Sequence, residues 1–198
     1  MRDANYIIDL SFQADYSIEI IDFTQFNHML LEHYYYPNAN KTGGRDGIIL
    51  KISPLHKKEW LGTFAFGYDS PKALTGIYSC PHPSLLCVIS SGQGYIVNAD
   101  SPTNWNLIES YPILIVYPVV EKNLIIFVDY TTISAYQSNN LLWRTKQLSW
   151  DGITLVEITT SVIRGKGWDA SINKDVEFEV DLASGDHIGA MNFPEAYR

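Results

Sequence analysis

Three features of the sequence predict a mainly β (or α+β) protein with one helix in its amino-terminal region. Ring-bearing residues are abundant and charges scarce: Phe, Trp and Tyr fill 13% of positions and charged residues 18%, against about a quarter charged in a typical globular chain. Aromatic and β-branched side chains suit a pleated, half-buried surface. From Gly62 onward, short apolar runs alternate with turns rich in Asp, Ser, Pro, Asn and Gly, which is the signature of strands joined by hairpins.

The elements follow in order. "DYSIEIIDF" reads as a strand with one apolar face. "TQFNHMLLEHYYY", residues 24–36, changes period: Phe26, Leu30 and Tyr34 fall at helical spacing, Thr24 can cap the start, and Pro37 stops the run. "KTGGRDG" is a glycine turn, "IILKIS" a strand, and "EWLGTFAFGYD" another, with Gly62 as a candidate bulge. "NLIIFVDY" is apolar on both faces, as in a central strand covered on both sides. The glycines of "SGQGYI" and "RGKGW" read as hairpin turns. A dinucleotide fingerprint needs a third glycine and a following helix. The expected organisation is one domain, 1–198, with a strand–helix–strand segment over 1–60 and antiparallel hairpins over 61–198. The strands would form an antiparallel meander or a two-sheet sandwich.

Four turns look alike: "YDSPKAL", "ADSPTNW", "YQSNNLL" and "VDLASGDHI", with Asp69, Asp100, Gln137 and Asp181 at the matching position. A side-chain oxygen there can accept the backbone N–H two residues on. Their spacings of 31, 37 and 44 residues argue against strict repetition. Around the third, residues 131–145 pair an "AYQ" strand with an "LLW" strand, and this stretch resembles a hairpin from a β-propeller blade. The resemblance implies a small or partial propeller as the alternative architecture.

The formal net charge is −8, and from Asp169 to the end 7 acids face 2 bases. A nucleic-acid binder needs a basic footprint to neutralise phosphates, and an anionic membrane surface asks for the same. Neither partner fits this chain. The start, "MRDANYIIDL", has no apolar run of signal-peptide length, and "YPILIVYPVV" is too short and proline-broken to span a bilayer. These features point to a soluble cytoplasmic protein. Cys80 and Cys87 with His82 offer three soft ligands where a structural zinc site takes four, so the pair reads as reduced, partly buried thiols. No metal and no cofactor is expected.

"DVEFEVD" is the most regular stretch. As a strand it sets Asp175, Glu177, Glu179 and Asp181 on one face and Val176, Phe178 and Val180 on the other. Same-face carboxylates then stand roughly 6.6–6.8 Å apart along the strand, too far to converge on one cation. The stripe is the candidate partner-binding site; the competing reading is the solvent face of an edge strand, where charge discourages aggregation. His28 and His33 in "HMLLEH" lie about 140° apart on a helix, so they cannot share a metal. His187 beside Asp186 could be oriented by that carboxylate, or be a solvated turn residue. No nucleophile elbow or phosphate loop is present, and no catalytic residue set is assigned.

The expected function is a non-enzymatic protein-binding module for a basic partner, in composition alone similar to bacterial immunity proteins. A hydrolase whose site assembles only in space is one alternative. A carbohydrate or small-ligand binder using exposed rings among Trp60, Trp105, Trp143, Trp150 and Trp168 is another.

Overall fold

The computed structural model describes residues 6–22, 30–37, 46–68 and 70–191. The described residues are almost all strand and turn; among them there is no α-helix, only a single 3₁₀ turn at Val120–Lys122. The chain divides into two compact units, Met1–Ile113 and Leu114–Arg198. Residues 61–113 of the expected hairpin region belong to the first.

In the first unit, sheet I has strand order β2-β4-β5-β3, from β2 (Tyr16–Ile20), β3 (Glu32–Tyr36), β4 (Gly47–Pro54) and β5 (Trp60–Ala65). Sheet II has order β1-β6-β7-β8-β9, from β1 (Ile7–Asp9), β6 (Gly76–Ser79), β7 (Leu85–Ser90), β8 (Gln93–Asn98) and β9 (Ser101–Leu107). All pairs are antiparallel except β1 with β6 and β3 with β5. The helix expected over 24–36 is corrected here for its second half. Glu32–Tyr36 is extended and pairs in parallel with Trp60–Phe64. Three consecutive tyrosines suit that pleated position, and a long-range partner supplies the ladder that local spacing could not reveal. The first half of the expected helix, with His28, lies outside the described residues.

In the second unit, β10 (Ile115–Val119), β11 (Leu124–Val128), β12 (Ile133–Gln137) and β13 (Asn140–Arg144) form sheet III. Sheet IV is built from β14 (Ile153–Ile158), β15 (Val162–Asp169), β16 (Lys174–Asp181) and β17 (His187–Gly189). Both are four-stranded antiparallel meanders, the strand number and order of a propeller blade. In β11 every residue is buried, as its two apolar faces predicted. Gly165 and Gly167 are not turn residues: they lie inside β15. A Cβ on Gly165 would stand 2.4 Å from the Phe178 ring, so glycine there makes room for an inward aromatic.

Each unit has an apolar core shared by its two sheets. In the first, Leu50, Ile52, Trp60 and Phe64 of sheet I pack with Ile77, Leu86, Val88, Tyr95 and Val97 of sheet II. In the second, Ile126, Val128, Ile133, Ala135 and Trp143 of sheet III pack with Ile153, Ile163, Phe178 and Val180 of sheet IV. The alternating burial of β4, and of β16 after its first turn, is the period-2 pattern of strands with one face in such a core.

One tryptophan staple between sheets, with the turn that receives it, recurs in both units. Trp60 lies opposite Ile52 in sheet I and donates its indole N–H to the Ala99 carbonyl in sheet II (2.8 Å). Trp143 lies opposite Ala135 in sheet III and donates to the Leu182 carbonyl in sheet IV (2.9 Å). Donor and acceptor are 39 residues apart in both cases. The receiving turns match as well. Asn98 Oδ1 accepts the N–H groups of Asp100 (2.9 Å) and Ser101 (3.0 Å). Asp181 Oδ1 accepts those of Ala183 and Ser184 (both 2.9 Å). The N–H groups of Ala99 and Leu182 go to the carbonyls of Ser84 (2.8 Å) and Ser161 (2.9 Å) in the first hairpin turn of the same sheet. One offset of 83 positions (Trp60 to Trp143) carries Ile52 to Ala135, Tyr95 to Phe178, Asn98 to Asp181 and Ala99 to Leu182.

The similar turns noted in the sequence follow the same plan. Those at Asp100, Gln137 and Asp181 join the last two strands of sheets II, III and IV; Asp69 lies outside the described residues.

Replacing either tryptophan of the staple by phenylalanine keeps an aromatic ring but leaves a buried carbonyl without its donor. Trp60→Phe and Trp143→Phe are each expected to lower stability by about 1–3 kcal/mol, read as a drop in the urea midpoint at unchanged slope.

Candidate functional site

The carboxylate stripe lies where β16 crosses the outward face of sheet IV. Phe178 and Val180 are buried, Val176 is half-buried, Asp175, Glu177 and Asp181 are exposed, and Glu179 is partly exposed. The alternation expected of "DVEFEVD" is therefore present. The strand is not an edge: β16 pairs along its whole length with β15 and over Phe178–Val180 with β17.

Being interior changes the electrostatics of the stripe. In the β15–β16 register Lys166 faces Glu177 and Arg164 faces Glu179. Lys166 Nζ stands 3.4 Å from Glu177 Oε1. Arg164 donates from Nε to Glu179 Oε2 (2.7 Å) and from Nη1 to Glu157 Oε2 on β14 (2.6 Å). A ladder Glu157–Arg164–Glu179 thus crosses three strands. These groups are solvent-screened, so the ladder orients the side chains more than it stabilises the fold.

Asp181 does a different job. Its carboxylate closes the β16–β17 turn on the Ser184 and Ala183 N–H groups, which hold its pKa below the usual aspartate value. Asp175, opposite Trp168, has no ion pair among the described residues. On this face the carboxylates Glu157, Asp175, Glu177, Glu179 and Asp181 outnumber the cations Arg164 and Lys166.

Two aliphatic side chains flank the charged strip. The register of β14 against β15 slips between Leu155 and Glu157, and Val156 is left 64% exposed. On β17, Ile188 is opposite Glu179 and 71% exposed. Val156, Arg164, Lys166, Glu177, Glu179 and Ile188 line an open depression of ≈ 460 Å³. A smaller one of ≈ 200 Å³ adjoins it, lined by Val162, Glu179, Asp181, Asp186, His187 and Ile188. Sequence reasoning found the four acids and missed both aliphatics and both cations. Arg164 and Lys166 repeat at the strand period of Glu177 and Glu179, a signal that was available.

Of the other candidates, His187 lines the smaller depression and the rest sit elsewhere. His187 is half-buried on β17, and burial, with Lys146 adding and Asp186 opposing, lowers its pKa from the usual histidine value. The Asp186 carboxylate accepts the Ser184 hydroxyl (3.0 Å). His33 is half-buried on β3, bonded to Thr63 Oγ1 at 2.8 Å. Trp60 and Trp143 are core residues, and Trp105, Trp150 and Trp168 are half-buried. Cys80 and Cys87 are both buried and unlinked, and burial followed by the Cys80 thiol raises the Cys87 pKa well above the usual thiol value. Among the described residues, no three His, Cys, Asp or Glu side chains gather as a metal site. No helix among them is long and apolar enough to cross a membrane.

No family model matches the sequence, and no curated protein matches it. Among solved structures the chain is similar to one in an S. cerevisiae complex of a dbp5 variant bound to nup159, a gle1 variant, ip6 and adp. That match has 11% identity and a TM-score of 0.40, over 96% of this chain and 55% of that one. It is also similar to the N-terminal domain of Nup159, at 12% identity and a TM-score of 0.41, over 98% of this chain and 56% of that one. The chain spans about half the length of both.

The lowered Asp181 pKa makes a pH prediction. A depressed carboxyl contributes stability that is complete above its unfolded value and is lost as pH falls through its folded one. Asn98 shows that a neutral amide serves the same turn. Asp181→Asn should therefore keep the fold and be less stable than wild type at neutral pH. The gap should close on acidification through the lowered Asp181 pKa, measured as paired urea melts at neutral and acid pH.

Proposed function

We propose that this chain is a binding module without catalytic activity, and that the outward face of sheet IV docks a basic protein partner. The observation that carries the reading is the pairing of two exposed aliphatic side chains, Val156 and Ile188, around a strip on which carboxylates exceed cations. Exposed apolar side chains beside an open charged depression suit a docking contact. Surplus negative charge around them favours encounter with a cationic surface and rejects an anionic one. Arg164 and Lys166 refine the reading. They hold Glu179 and Glu177 in place, so the partner meets a fixed pattern of charge, with Asp175 and Asp181 the carboxylates of the stripe that pair with no described cation.

Two variants separate the apolar from the ionic contribution. Val156→Ser with Ile188→Ser alters exposed positions only, so stability should hold within about 0.5 kcal/mol while partner capture from native lysate falls. Neutralising Asp175, Glu177, Glu179 and Asp181 to Asn or Gln should slow association with the captured partner and flatten its salt dependence. Equal recovery of the same proteins by wild type and both variants overturns the reading.

A further inference from the structure

Sheet II holds a pair of thiols that the docking face does not use. Cys80 directly follows β6, and Cys87 is the third residue of β7. The register sets Tyr78 opposite Cys87 and ends with Ser79 opposite Leu86. Strand alternation puts Cys80, the residue after Ser79, on the face of Tyr78 and Cys87, so Cys80 and Cys87 are diagonal neighbours across the hairpin. Both are fully buried. The chain between them is a tight turn, closed by the Leu85 N–H on the His82 carbonyl (2.9 Å) and the Ser84 N–H on His82 Nδ1 (3.2 Å). His82 is exposed. Uncovering Cys80 also requires the Asp15 N–H to leave the Pro83 carbonyl (3.0 Å) and the Tyr16 hydroxyl to leave the Leu85 carbonyl (2.9 Å), a local opening that needs less than global unfolding.

We propose that Cys80 and Cys87 form a redox-active pair that closes to an intramolecular disulfide when the protein meets a peroxide. One thiol, as its thiolate, attacks a peroxide oxygen; the O–O bond breaks, water leaves, and a sulfenic acid remains. The second thiol attacks that sulfur, the S–S bond forms, and a second water leaves. Two thiols are oxidised by two electrons and one peroxide is reduced to two waters. Diagonal strand neighbours have Cα atoms about 7–8 Å apart, whereas a relaxed disulfide spans about 4.4–6.8 Å. Closing the bond draws β6 and β7 together at the turn, and the strain makes it readily reducible by a dithiol. The same turn carries Ser84, whose carbonyl receives the Ala99 N–H and whose hydroxyl bonds Asp100 at 3.1 Å. The pair thus adjoins the turn that accepts the Trp60 indole.

The test uses the full chain, dilute and reduced. It is treated with hydrogen peroxide, quenched with catalase, alkylated with N-ethylmaleimide in denaturant and weighed by mass spectrometry. Wild type is expected to lose both alkylatable thiols together, as a monomer two hydrogens lighter, and to regain both after dithiothreitol. Cys80→Ser and Cys87→Ser should each show either an intact single thiol or added oxygen. The proposal is overturned if wild type keeps both thiols at a peroxide dose that consumes free glutathione. It is equally overturned if wild type gains oxygen or links between chains. The wild-type mass decides the matter even where a serine variant fails to fold.

Discussion

An indole N–H from one sheet reaching a turn carbonyl of the other is the contact on which each unit depends. Trp60 on Ala99 and Trp143 on Leu182 bridge the two halves of a core at a point where apolar packing alone leaves a polar group to satisfy. The receiving residue uses both its backbone groups, its carbonyl for the indole and its N–H for Ser84 or Ser161. An Asx side chain one residue earlier organises the turn around it. Apolar contact is tolerant of sliding; a buried carbonyl with one donor is not. The staple therefore fixes which residue of β5 or β13 faces which turn, and the core pairs at the common offset fall into place behind it.

In the second unit the same constraint sets the outward face of sheet IV. With Leu182 fixed under Trp143, Val180 and Phe178 of the preceding strand must point into the core, and Gly165 leaves the space that Phe178 fills. The intervening Asp175, Glu177, Glu179 and Asp181 then have no choice but the outer face, where Arg164 and Lys166 on β15 meet two of them. The proposed docking surface is thus the complement of the core pattern, with Val156 and Ile188 left on it as apolar side chains that the core does not take up.

Much of this was legible in the sequence wherever the cause was local. Period-2 alternation placed β16, an apolar run after a glycine turn placed β4, the doubly apolar run placed β11, and Asp, Asn and Ser at turns marked the hairpins. Non-local causes were not legible. Phe26, Leu30 and Tyr34 carry a helical spacing, yet Glu32–Tyr36 becomes a strand because Trp60–Phe64 lies ready as a parallel partner. The repeat was obscured because Asp100 was matched to Asp181, whereas the residue doing the same work is Asn98, whose amide oxygen substitutes for a carboxylate. The glycines of "RGKGW" looked like a turn because the ring they accommodate is on the next strand. The stripe was found but its cationic partners were not, since only the β15–β16 register brings them together.

Amide hydrogen exchange on Trp143→Phe and Trp60→Phe tests the staple most directly, because each indole is held to organise one turn. In Trp143→Phe the N–H groups of Leu182, Ala183, Ser184 and Gly185 should lose protection by about ten- to a hundred-fold, while those of Ala99, Asp100 and Ser101 keep theirs. Trp60→Phe should give the reverse. Equal loss at both turns in either variant, or no loss at the turn facing the missing indole, contradicts the account.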